Sequence, residues 1–317
     1  MTSAPAPDYR DRMAACAAAI ELDPPAIVLP TDHFVTLGGM RFHYLDWGNG
    51  HLPHLVLFHG GGLTAHTWDM AALLLRDRYH IVALDLRGHG DSDWMSEEAL
   101  HARDLTDWVT DDVEAFLAHL GADRVALGGM AFGGVAAMRY AARHPERVSA
   151  LLMVDVGPES MREGGRSTQQ FHRETDILER FEDFLERAMR FNPARRREHL
   201  EYSLTHSLKQ TPQGWTWKQD PRPRDLGALV PEEERAANNE RRAAELWALV
   251  REITVPTLVM RGAETKFLSA EVAQRTVAVM PDARLVTVPG SSGYIPGDRP
   301  RDFAREVDAF LSDVLAR

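Results

Sequence analysis

The chain has 317 residues, 47 acidic against 36 basic, for a formal charge of −11 at pH 7 with 44% hydrophobic residues. This is a globular composition long enough for a substantial core, and its acidic balance argues against a nucleic-acid partner, whose non-specific binding comes from clustered Lys and Arg. The one cysteine, Cys16, excludes an internal disulfide or a thiolate-rich metal site and fits a reducing, cytoplasmic compartment, and no apolar run reaches the ~18 to 20 residues that would span a membrane.

Residues 1–32 are rich in Ala and Pro and read as an extension around the outside of the domain. The Ala-rich stretch Met13 to Ile20 follows Asp8 and Asp11 and precedes Glu21, Asp23 and two prolines, which marks a short surface helix rather than a signal peptide. His33 to Leu37 and Met40 to Trp47, joined by Gly38-Gly39, predict a hairpin, because paired glycines supply the positive φ of a tight turn. The apolar runs Leu55 to Phe58, His80 to Leu84, Val125 to Leu127, Leu151 to Val154 and Thr257 to Met260 read as strands buried on both faces, hence a mostly parallel sheet. Helices fall between them; Asp107 to Leu120 is amphipathic and stops at Gly121. The fold class is therefore α/β, with a core over 33–159 and 251–317. Residues 160–250 break the alternation, carry helical periodicity and read as a helical cap. Within that cap Trp215 and Trp217 sit in a Pro- and Gly-punctuated loop, where they either pack on the core or line a pocket roof as substrate-binding residues.

The richest segment is Arg124 to Tyr140, an apolar strand, a glycine-flanked turn and a helix. Gly129-Met130-Ala131-Phe132-Gly133 has the spacing of G-x-S-x-G, where small residues permit a strained strand-to-helix turn that lifts the middle side chain over the sheet. A phosphate-binding reading fails, since neither G-x-G-x-x-G nor Gly-Lys-Ser/Thr is present.

With these residues in view, the chain resembles the α/β-hydrolase superfamily from residue 33 onward. Phe58 to Trp68 resembles the family's oxyanion loop, Leu84 to Ser92 its D-x-R-G-H-G-x-S turn, and Val288 to Pro300 the segment that carries its catalytic histidine. The resemblance implies an α/β-hydrolase fold with a capped pocket, and an oxyanion hole built from the backbone N–H groups of Gly61 and Phe132, with Gly62 and Met130 beside the substrate. It also puts Ala131 at the nucleophile position, Lys266 at the acid position and Gly293 at the base position, all three lining a pocket floor roomier by about an imidazole's volume. Asp155 stands at the family's alternative acid site, where an ion pair with Lys266 would plug the old site or a desolvated Lys266 would serve as base or imine former. His66 and Tyr294 complete the candidate acids and bases; His59 and His89 read as loop braces, and Glu264 as solvent-facing. No H-x-x-x-H or carboxylate cluster suggests a metal, and no cofactor is expected. Two functions follow as expectations: non-hydrolytic, cofactor-independent chemistry of cyclase, lyase or isomerase type on a small apolar carbonyl compound, or a catalytically silent ligand-binding pseudo-hydrolase. Neither the sequence nor the resemblance fixes an oligomeric state.

Overall fold

Alternate side chains along a strand go to opposite faces of its sheet, and the central strands show this on both sides. In β3 (His54–Phe58), Leu55 and Leu57 join one core cluster while Val56 and Phe58 join the other. In β6 (Val148–Val154), Ala150, Leu152 and Val154 face the first cluster, and Leu151 and Met153 the second. The computed structural model describes residues 8–161, 168, 170–172, 177–193 and 195–316. Its main sheet has eight strands in the order β1-β2-β4-β3-β5-β6-β10-β11. β1 (Thr31–Leu37) and β2 (Met40–Asp46) form the expected hairpin, with Gly38 and Gly39 at φ 55° and 83°. From β4 (His80–Leu84) through β3, β5 (Val125–Met130), β6 and β10 (Thr257–Gly262) to β11 (Ala283–Val288) all pairings are parallel. The sequence reading does not mark β11, an edge strand in which the exposed Arg284 and Thr287 break the apolar run. The helix Leu105–Leu120 ends at Gly121, φ 66°, as expected.

Two expectations need correction. The N-terminal helix runs Tyr9–Ala19 and does not simply lie on the surface: Met13, Cys16 and Ala17 are buried in the first core cluster, and burial pushes the Cys16 thiol up to about 12. The segment 160–250 is not purely helical either. Beside the helices Phe181–Phe191, Arg197–Ser207, Arg222–Leu229 and Glu232–Glu252 it carries β7 (Ile177–Leu178), β8 (Leu208–Thr211) and β9 (Gly214–Trp217), ordered β7-β9-β8. Trp215 and Trp217 are strand residues: Trp217 is buried with Phe184, Leu185, Leu200 and Leu204, and Trp215 packs on the same cluster. They belong to the cap's own small core, the packing alternative of the two readings. Among the described residues no helix is long and apolar enough to cross a membrane.

One buried carboxylate sets the upper edge of the sheet. Asp85 follows β4, and its Oδ1 accepts from the Ala65 amide at 2.6 Å on the loop after β3. Its Oδ2 accepts from the Asp91 amide at 2.9 Å and lies 2.7 Å from His43 Nδ1 on β2. Ser92 closes the turn, its hydroxyl donating to the Asp85 carbonyl at 2.7 Å and accepting from the His43 amide at 2.9 Å. Burial pushes the carboxyl up, but the hydrogen bond and charge of His43 with the nearby amide hold it well below the usual range. Removing such a carboxylate leaves several buried donors unpaired. Asp85→Ala should therefore lose about 3 to 5 kcal/mol in urea unfolding; a loss under about 1 kcal/mol, the level of an average substitution, would show that these loops are held by something else.

Candidate active site

The elbow expected from the glycine spacing is present. β5 ends at Met130, the helix Ala131–Arg143 starts at once, and Ala131 sits in the left-handed region at φ 44°. An alanine is strained there, and such strain collects at functional turns. Close approach explains the flanking glycines. A Cβ at Gly129 would lie 2.5 Å from Gly134 Cα, and one at Gly133 would overlap the His59 carbonyl. The Gly133 amide donates to that same carbonyl at 3.2 Å, which ties the elbow to the loop after β3.

That loop is fixed by His59, fully buried, which donates from Nδ1 to the Gly60 carbonyl at 2.8 Å and accepts the Leu86 amide on Nε2 at 3.0 Å. Burial and the neighbouring His89 push its pKa down to about 4, so the ring is neutral and acts as the expected brace. The loop passes close over the elbow: a Cβ at Gly60 would stand 3.5 Å from both Ala131 Cβ and Met130 Cε. Next to it Gly61 is exposed and faces open space. Phe132 is the second residue of the elbow helix, so its N–H has no partner within that helix. Phe132 thus places a free N–H at the positive end of the elbow helix, and Gly61 follows the glycine that passes over Ala131. At Gly62, φ 80°, the cap closes on the loop: a Cβ there would stand 2.7 Å from His172 Nε2. His172 in turn packs 4.5 Å from the Trp217 ring.

Met130 pairs in register with Val154, so Ala131 and Asp155 leave neighbouring strands at one level. Asp155 is also left-handed, at φ 48°. Its carboxylate is buried; Oδ2 accepts from the Thr265 hydroxyl at 2.6 Å, and Oδ1 has no hydrogen-bond partner among the described residues. Burial raises its pKa to about 6, against the opposing pull of Thr265, the Gly262 amide and Arg261. Two expectations are corrected here. The group on Asp155 is the Thr265 hydroxyl rather than the Lys266 ammonium, and Lys266 is exposed, so it is neither a plug nor a desolvated base. The space beside Gly293 is also not an imidazole-sized void, because a Cβ there would overlap Asp155 Oδ2 and stand 3.2 Å from Phe267. Glu264 is exposed, as expected.

His66 and Tyr294 meet in one small cleft between the oxyanion loop and the cap helix Arg197–Ser207, lined also by Leu63, Met70, His199 and Tyr202. Tyr294 packs there: Arg195 lies 4.4 Å over its ring, His199 stacks at 6.1 Å, and burial raises its phenol far above the usual range. His66 is tied to Asp69, Nδ1 to Oδ2 at 2.8 Å. Sequence reasoning missed Thr265, Asp69, Tyr202 and His206. It also expected no metal-ligand cluster, whereas His66, Asp69 and His206 converge from two parts of the chain, a proximity no local spacing could signal.

Known proteins resemble this chain over most of its length. The family model described as alpha/beta hydrolase fold matches residues 53–295. The esterase Rv0045c of Mycobacterium tuberculosis is 29% identical over 266 residues, 81% of this chain and 82% of its own; its solved structure superposes with a TM-score of 0.75 at 25% identity, covering 97% of this chain and 100% of that one. The 2-(acetamidomethylene)succinate hydrolase of Mesorhizobium japonicum is 24% identical over 89% of this chain and 97% of its own. Mouse epoxide hydrolase 4 is 26% identical over 94% and 86%. All three are named for hydrolysis, which overturns the expectation of cyclase, lyase or isomerase chemistry and that of a silent ligand-binding pseudo-hydrolase. These relatives support an enzyme. With its sheet order, its elbow and a match across most of its length, the chain belongs to the α/β-hydrolase fold family.

Proposed function

We propose that this chain hydrolyses a small carboxylic ester by direct attack of water, with Asp155 as the general base. The observation that carries the reading is the Asp155 carboxylate: buried, strained in backbone, level with the elbow, and with Oδ1 unpartnered. Ala131 has no atom that can attack a carbonyl, so the nucleophile is water rather than the elbow side chain. Water gives a proton to Asp155 Oδ1 as its oxygen bonds the carbonyl carbon. The resulting oxyanion is held by the N–H groups of Gly61 and Phe132. Collapse breaks the bond to the alkoxy oxygen, which takes the proton back from Asp155 and leaves as alcohol. The Thr265 hydroxyl stays on Oδ2 and keeps Oδ1 turned to the water.

Turnover of p-nitrophenyl butyrate tests this. Asp155→Asn should lower kcat about 100- to 10,000-fold, the usual share of a general base. In the parent protein kcat/KM should rise about tenfold per pH unit up to about 6 and level off above it, because the base works only when ionised. Stoichiometric labelling by a fluorophosphonate, or an unchanged rate in Asp155→Asn, would sink the mechanism.

The same substitution should also stabilise the fold. The Asp155 pKa is raised in the folded state from 3.8 to about 6, so ionisation costs stability that is present below pH 4 and lost as pH rises through 6. That displacement corresponds to about 3 kcal/mol. Asp155→Asn should therefore melt higher than the parent at pH 8 and alike at pH 4, and a lower melting temperature at pH 8 would contradict the raised pKa.

A further inference from the structure

Beside the oxyanion loop lies a buried polar cluster that the proposed hydrolysis does not use. Asp69 opens the helix Asp69–Leu75, is wholly buried, and has His66 as its ion-pair partner, with no Lys or Arg on it among the described residues. Its Oδ2 gathers the contacts of three residues: His66 Nδ1 at 2.8 Å, the Tyr9 hydroxyl at 3.2 Å and the Tyr202 hydroxyl. Its Oδ1 has none among the described residues. From the cap helix Arg197–Ser207, His206 lays its ring on that of His66, with centroids 3.6 Å apart and a tilt of 23°, and its buried Nε2 also lacks a partner. One ligand atom from each of His66, Asp69 and His206 lies within 4.8 Å of the others.

Two imidazoles and one carboxylate are the donor set of divalent first-row transition ions, with bonds of ~2.0 to 2.2 Å. An imidazole lone pair lies in the plane of its ring, so the two rings must turn out of their stack for both nitrogens to converge on one ion. Tyr9 and Tyr202, both held to Asp69, supply the outer hydrogen bonds that orient a ligating carboxylate. The contrasting cluster is His43, Asp85 and Asp91, equally close in space. There both oxygens of Asp85 and both nitrogens of His43 are already bonded within the protein, which marks a brace rather than a receptor for an ion. The open atoms at Asp69 and His206 are the difference.

We propose that His66, Asp69 and His206 bind one divalent transition-metal ion, Zn²⁺ or a close relative, which fastens the cap helix to the oxyanion loop across the wall of the cleft. Two ligands belong to the segment after β3 and one to the cap, so the ion adds a bonded link to the Tyr202 hydrogen bond and the His66–His206 stack. The inference stands on these residues and does not need the hydrolytic reading.

Cobalt reports directly on such a site. Titrating Co²⁺ into the untagged full chain should give one ion per chain, with the visible d–d absorption of a low-coordinate nitrogen and oxygen site. His206→Gln and Asp69→Asn should each weaken binding at least about 10-fold. Zn²⁺ should raise the melting temperature of the parent, by mass action on the folded state, and leave that of His206→Gln unmoved. Should Asp69→Asn fail to fold by circular dichroism, His206→Gln decides alone. Absence of stoichiometric binding in the parent, or binding that His206→Gln retains in full, overturns the proposal, whatever the outcome of the esterase assays.

Discussion

The Asp85 carboxylate is the point on which the upper face of this protein depends. A single buried anion organises the first hairpin through His43, the oxyanion loop through the Ala65 amide and the turn after β4 through the Asp91 amide. Such a group is stable only because each lone pair that burial strips of water finds a donor. The glycine at 90 follows from the same packing, since a Cβ there would overlap the carboxylate. Behind the hub, Arg87 clamps Asp112 through Nε and Nη2 and lies 4.7 Å over Trp108, so the turn is also fixed to the helix Leu105–Leu120. The oxyanion loop is thus positioned by charge satisfaction, and its pairing with the elbow through Gly133 is a second, independent tie.

On this frame the site concentrates strain. The left-handed non-glycine residues Ala131 and Asp155 stand at the ends of adjacent parallel strands. The sheet supplies the over-determination that strain requires, with both strands buried along their whole length. Strain at Ala131 aims a helix N-terminus at the space above the sheet, and strain at Asp155 turns a carboxylate toward the same level. In the proposed hydrolysis this frame would contribute a fixed set of dipoles and one base, which act without reorganising.

The fold was legible because buried parallel strands write continuous apolar runs, and β4 spans His80–Leu84 as read. The elbow was legible for a steric reason: only glycine fits where Gly129 and Gly133 approach backbone. Edge and cap strands were harder. β11 is half exposed, and β9 hides among punctuating residues, although the alternation Gly-Trp-Thr-Trp does carry the period of a strand. Side-chain pairings between distant segments were not legible at all. Whether Asp155 meets Thr265 or Lys266 depends on how the turn after β10 folds, and His206 reaches His66 only because the cap packs down. The names of relatives, not any residue pattern, turned the functional reading toward hydrolysis.

The crowding at position 293 also constrains how this protein can change. A side chain there and the present Asp155 carboxylate claim the same volume, so the two positions are not independent loci: the effect of a substitution at one is conditional on the residue at the other. Histidine introduced at 293 alone meets Asp155 before it meets a substrate, and serine introduced at 131 alone gains a hydroxyl with no imidazole beside it. A lineage moving between this site and a serine-based one must therefore cross intermediates that lack a complete set of either kind. That barrier is one of mutational order.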